Sequence, residues 1–238
     1  MHLFARIILL FISASVFSQI DSTKIASEKF VPDFTAVDSL YREDQFYFSF
    51  TYNILTSIPK KLNQNKFSLG LSGGFLRDFP LNKQRNFALA IGLGYTLQNY
   101  NYNLKVSESN SVITYSYVDE DSFYDKNKLS VNYVDIPLEI RWRTSVPESH
   151  KFWRVYTGFK FSYLFYSRSK FTGDGGKNLV VNNPDLSKLR MSAYVSAGYN
   201  TWNFYACYGF TPIFDNGSIE GQKIKMGNLS LGLMFYIL

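Results

Sequence analysis

Cysteine and histidine chemistry has almost no material in this chain: among 238 residues there is one cysteine, Cys207, and two histidines, His2 and His150. A lone cysteine excludes an internal disulfide. Its place in an apolar segment reads as a packed thiol rather than a reactive one. The same scarcity excludes Cys/His metal-ligand spacings, and no metal or other cofactor is expected. Long hydrophobic runs are missing too. After residue 20 nothing approaches the roughly 20 continuous apolar residues that a membrane-crossing helix needs. Basic residues outnumber acidic ones by 25 to 19, a formal charge of +6, yet they are scattered through predicted loops and strand ends. Without a compact Lys/Arg cluster, nucleic acid is excluded as a partner, and anionic lipid head groups fit better. Gly173-Asp174-Gly175-Gly176 lacks the following Gly-Lys-Ser/Thr and helix of a phosphate loop.

What the chain has in quantity is aromatic residues, 18% of the total with 22 Phe, 18 Tyr and 3 Trp. They sit in short alternating pieces. From Asn86 to Asn99, Phe87, Leu89, Ile91, Leu93, Tyr95 and Leu97 fall on one side, and Ala88, Ala90, Gly92, Gly94, Thr96 and Gln98 on the other. Period-two alternation makes this a strand. A soluble sheet would show Lys, Glu and Thr to water on its second face. Here that face is small, which suits the crowded lumen of a narrow barrel and leaves the bulky face in lipid.

The first residues resemble a secretory signal peptide: Arg6, the apolar run Ile7 to Ile12, then Ser13, Ala14 and Ser15, with cleavage expected near Ser18 or Gln19. Residues 1–18 are therefore read as a signal peptide and 19–43 as a polar periplasmic extension, with a small lumen plug as an alternative for the latter. Residues 44–238 are read as the barrel. Strands are predicted near Asp44–Leu55, Lys66–Leu76, Asn86–Leu104, Lys128–Thr144, Phe152–Lys170, Lys188–Asn200, Trp202–Phe214 and Met226 to the end. Pro137 falls inside the fourth, and since proline cannot donate to a ladder it is read as a bulge. Links after the second, fourth and sixth strands are short, whereas the others are long and polar. That alternation is the layout of an outer-membrane barrel, with short turns and both termini on the periplasmic side. The predicted fold is all-β, an eight-stranded antiparallel transmembrane barrel.

Face assignment places Glu139, Arg141, Arg143, Lys160 and Arg168 in the lumen, with Tyr156, Tyr194 and Tyr205 nearby. Glu139 is expected to reach Lys160 or an arginine of its own strand. Charges in a narrow lumen must be paired, so these groups are read as filling and cross-linking a closed interior; a gate or anion-attracting constriction is the alternative. Tyr95, Tyr133, Trp142, Trp153, Tyr163, Tyr199 and Trp202 are read as interfacial aromatics. Asp119, Glu120, Asp121 and Asp125 are read as a solvated loop rather than a calcium site.

Ser230-x-Gly232-x-x-Phe235-x-Ile237 resembles the C-terminal signal read by barrel-assembly machinery, although Ile stands where a second aromatic is usual and Leu238 follows. Tyr133, Asp135, Ile136, Pro137 and Leu138 resemble a strand signature of PorT-like outer-membrane β-barrels of Bacteroidetes-type bacteria. The resemblance implies an outer-membrane barrel, and PorT itself is associated with type IX secretion and gliding. It transfers no catalytic residues. The expected function is therefore a non-enzymatic envelope scaffold or accessory subunit. Expected partners are outer-membrane lipids and lipopolysaccharide, the assembly machinery during biogenesis, and envelope proteins. A porin-like channel for small solutes and a lipid-modifying barrel enzyme are the alternatives, with a soluble lipid-binding barrel further behind.

Overall fold

Side chains alternate to two faces along every long strand, and closure of the sheet turns one of those faces into an interior. A computed structural model describes residues 44–64, 66–118, 122–144, 152–173 and 176–237. The predicted signal peptide and extension, Asp119 to Asp121 and His150 lie outside these residues. In chain order the strands are β1 (Gln45–Thr56), β2 (Leu69–Pro80), β3 (Phe87–Asn101), β4 (Leu104–Ser109), β5 (Val112–Tyr117), β6 (Tyr124–Arg143) and β7 (Trp153–Gly173). Then follow β8 (Gly176–Val181), β9 (Leu189–Tyr199), β10 (Trp202–Gly209), β11 (Ser218–Ile219), β12 (Gln222–Lys223) and β13 (Gly227–Ile237).

Eight of them form the barrel, in the order β6-β3-β2-β1-β13-β10-β9-β7, and pairing of β6 with β7 closes it. Every pairing is antiparallel. The links at one end are the short ones, 81–86, 144–152 and 200–201. The tightest starts at Asn200, whose φ of 55° is the left-handed conformation that asparagine tolerates. At the other end the long links have structure of their own, the β4–β5 hairpin, β8 beside the top of β7, and the small β11–β12 hairpin.

Strand β6 displays the logic of the whole wall. In its lower half Asp135, Glu139, Arg141 and Arg143 are buried, while Val134, Ile136, Leu138, Ile140 and Trp142 are exposed. Above Tyr133 the polarity reverses. Leu129 and Val131 are fully buried, and Lys128, Ser130 and Asn132 face outward, half-buried. A wall in lipid needs apolar groups outside, and a wall in water needs them inside. One strand therefore carries both senses of amphipathicity, and the change of sense marks the upper edge of the lipid belt. The lower edge is marked by Trp142, Trp153 and Trp202, all exposed at the short-turn end. There Trp153 packs against Tyr199 with ring centroids 5.4 Å apart, and Trp202 against Phe235 at 5.3 Å.

Three expectations are corrected along this wall. Pro137 is not a bulge: it pairs in register with Lys160, and the β3 ladder merely skips from Ile91↔Leu138 to Gly94↔Asp135 without changing register. The bulge lies higher, where the partner of Asn132 is Tyr166 and that of Tyr133 is Leu164, leaving Phe165 as the extra residue. Phe165 and Tyr166 are consequently both exposed, and alternation above them is inverted. Arg168 therefore points outward and is exposed, not in the lumen, while Ser167 and Ser169 are buried. Tyr133 is the reverse case. It shares the inward parity of Asp135 and is 2% exposed, so it belongs to the interior rather than to the aromatic girdle.

A charge placed mid-height on this wall tests its contact with lipid. Ile91, exposed on β3, changed to Arg is expected to lower stability by about 2–4 kcal/mol, and Trp202→Arg at the lower edge by about 0–1 kcal/mol. Equilibrium unfolding in phospholipid vesicles measures both, and equal costs at the two depths would contradict the assigned belt.

Candidate functional site

The lumen is where this chain concentrates its unusual residues, and β3 explains how they fit. Asp78 of β2 and Glu139 of β6 are both register partners of Ala90, and Arg141 is the partner of Ala88. Because β3 puts only these small groups between its neighbours, side chains of β2 and β6 meet above it. The Asp78 carboxylate accepts hydrogen bonds from Arg141 Nη1 at 3.0 Å and from Arg143 Nη1 and Nη2, both at 2.8 Å. Arg141 Nε donates to Glu139 Oε2 at 2.7 Å, and Tyr194 Oη donates to Glu139 Oε1 at 2.9 Å. Arg143 Nε reaches the Arg85 carbonyl in the β2–β3 turn at 3.0 Å. All these charged side chains are buried.

Aromatic rings complete this lower layer. Arg141 lies 4.8 Å from the Tyr156 ring, and Arg154 lies among Phe152, Tyr156 and Tyr236 at 4.5, 5.8 and 5.3 Å. Tyr47 crosses the barrel floor of β2 and β3, where only glycine leaves room. A Cβ at Gly74 would stand 2.8 Å from its ring, and one at Gly94 would collide with its hydroxyl.

Above this layer Asp135 accepts hydrogen bonds from Thr96 and Ser162, the latter at 2.5 Å, and faces Lys160 at 3.8 Å. Higher still, Arg190 donates to Asn228 Oδ1 at 2.5 Å, to Tyr133 Oη at 3.2 Å and to the Thr211 carbonyl at 3.1 Å. Ser230 links Asn228 to Asn53, donating to Asn53 Oδ1 at 2.7 Å and accepting from Asn228 Nδ2 at 3.3 Å.

The mouth at the loop end is closed by an apolar core. Leu55, Tyr100, Leu129, Val131, Tyr133 and Leu164 rise from the strands. Leu62, Leu104, Leu186, Phe214, Ile224 and Met226 descend from the four long loops. Polar links tie those loops into a ring. Lys61 pairs with Glu220 at 2.9 Å, which raises the lysine pKa, and Asn103 N–H donates to the Asn63 carbonyl at 3.1 Å. Tyr115 Oη donates to Asp185 at 2.7 Å and accepts from Asn183 at 2.9 Å, its pKa raised chiefly by burial. Ser187 N–H reaches the Ile213 carbonyl at 3.0 Å, and Asp215 N–H the Asp185 carbonyl at 2.8 Å.

Of the residues expected in the lumen, Glu139, Arg141, Arg143 and Lys160 face inward, while Arg168 does not. Glu139 meets the arginine of its own strand, and Lys160 turns to Asp135 instead. The strand signature divides between the two faces: Tyr133, Asp135 and Pro137 inside, Ile136 and Leu138 on the wall. In the last strand Ser230 is buried in the polar network, Gly232 lies inside where a Cβ would meet the β1 backbone, and Ile237 is exposed. Face assignment did not single out Asp78, Arg154 or Arg190. Asp78 follows the expected end of its strand at Leu76, but alternation carried two residues further would have put it inside. Asp125 is exposed at the loop end of β6 and the rest of its acidic run lies outside the described residues. Cys207 is a buried lumen thiol.

A closed eight-stranded antiparallel barrel with an apolar aromatic-edged exterior and a polar, filled lumen defines an outer-membrane β-barrel of the small, plugged-by-itself kind. The family model described as outer membrane protein beta-barrel domain matches residues 17–215, and the chain belongs to that family. The match runs through β10 and ends ahead of β13. No curated protein and no solved structure matches the chain. Family and architecture together place the protein in the outer membrane.

Asp78→Asn removes the carboxylate to which Arg141 and Arg143 both donate. Breaking a buried ion cluster at one member costs about 3–5 kcal/mol, so the variant should unfold at a markedly lower urea concentration in vesicles. Asp125→Asn, outside the cluster, should leave the midpoint unchanged.

Proposed function

We propose that this barrel acts through its surfaces, as a non-enzymatic scaffold or accessory subunit of the cell envelope. One observation carries the reading: the lumen is filled through its height. Among the described residues, three cavities inside it measure about 20, 10 and 10 Å³, room for single waters. Above them lies the apolar core formed by the long loops. A small-solute channel would need this core and the ion cluster beneath it to move together. A lipid-modifying enzyme would need an accessible acid, base or nucleophile. The buried carboxylates Asp78, Asp135 and Glu139 are instead engaged by arginines and hydroxyls inside the barrel.

Three surfaces remain for partners. The wall meets outer-membrane lipids and lipopolysaccharide, and the exposed register of β13 is what barrel-assembly machinery would read during biogenesis. The loop ring and the turn end are left for envelope proteins. The likeness of Tyr133, Asp135, Ile136, Pro137 and Leu138 to the PorT-like signature favours a partner in type IX secretion or gliding.

In planar bilayers the purified barrel should give no stepwise conductance, and reproducible steps would restore the channel reading. Crosslinking and co-purification from native outer membrane should recover a defined envelope protein. Failure to recover one, together with intact secretion and gliding in a deletion strain, would overturn the accessory role.

A further inference from the structure

The described lumen holds more positive than negative charge. Lys160 and Arg190 are diagonal neighbours across the β7–β9 ladder, where Lys160 pairs with Ser192 and Ser162 with Arg190. Both are 8% exposed. Among the described residues Arg190 donates to neutral acceptors: the Tyr133 hydroxyl, the Asn228 amide oxygen and the Thr211 carbonyl. The carboxylate facing Lys160 is Asp135, with its Oδ2 3.8 Å from Nζ, and that group already accepts from Thr96 and Ser162. Among the described residues nothing accepts a hydrogen bond from the Lys160 ammonium. One carboxylate thus faces Lys160 and none is among the acceptors of Arg190, in a setting where an uncompensated buried charge is strongly destabilising.

They also share a cavity. Its volume is about 20 Å³, and Gln98, Tyr133, Lys160, Ser162, Arg190 and Asn228 contribute to its lining. Two smaller cavities also border Lys160, so its donors open onto unfilled space. We propose that the barrel binds one monatomic anion, chloride under physiological conditions, in the cavity between Lys160 and Arg190. The size excludes phosphate and sulfate, which need several times the volume of a single water. The lining supplies N–H and O–H donors from the Lys160 ammonium, the Gln98 and Asn228 amides and the Tyr133 hydroxyl, the groups that replace the hydration shell of a halide. The ion compensates charge within the wall of the lumen and has no path through the apolar core above, so this is a fixed site and not a conduction step.

The test uses the full-length barrel in detergent micelles. Crystals grown with sodium bromide in place of chloride should give a bromine anomalous peak inside this cavity. A cavity holding only water, or bromine peaks only elsewhere, would overturn the assignment. Independently, the heat-modifiability midpoint on gels should rise when gluconate is replaced by chloride or bromide at fixed ionic strength. That shift should be lost in Lys160→Met. A halide shift that persists in the variant, or none in the wild type, also counts against the site. If Lys160→Met does not fold, the wild-type diffraction result alone decides.

Discussion

Eight strands enclose so little space that large side chains fit only where they lie across small ones, and the rest of the structure depends on that constraint. Tyr47 crosses Gly74 and Gly94, and the Asp78 pairs with Arg141 and Arg143 form over Ala88 and Ala90. The small face of β3 is therefore not empty surface. It is the clearance that lets β1, β2 and β6 interact over a strand that separates them in the sheet. A larger residue there would push apart the ion cluster of Asp78, Glu139, Arg141 and Arg143, and burial makes every displaced charge expensive.

The second organising fact is the change of solvent along the barrel axis. In the lipid belt the interior is polar because the exterior must be apolar. Above it the loops and strand tops obey the ordinary rule of a water-soluble domain, with Leu129, Val131, Leu164 and the loop residues inside. Charge inside the lower half and hydrocarbon inside the upper half are two answers to one requirement, that each face match what touches it. The bulge at Phe165 sits at that change of solvent, where the wall leaves the membrane.

Much of this is legible in the sequence alone, because alternation is a local signal. Leu89, Ile91 and Leu93 against Ala90, Gly92 and Gly94 already imply a strand, two faces and an inverted polarity. Lys160 and Arg141 follow from parity alone. Arg168 did not, since a one-residue bulge between Leu164 and Ser167 leaves no mark in composition while it inverts all that follows. The apolar cap was hidden for another reason. Leu104, Leu186, Phe214 and Ile224 are scattered through separate polar segments, with no shared period to connect them. Only the closed barrel brings the four loops close enough to share one core.

That core changes what the loops are. Connections at the rim of a barrel are usually the freest part of the sequence, open to insertion, exchange and drift between relatives. Here Leu62, Leu104, Leu186 and Met226 each supply one wall of a shared interior, and no loop can be replaced without exposing the other three. Grafting a foreign epitope into any one of them would be core surgery, and evolutionary change in these segments is expected to come in compensating sets.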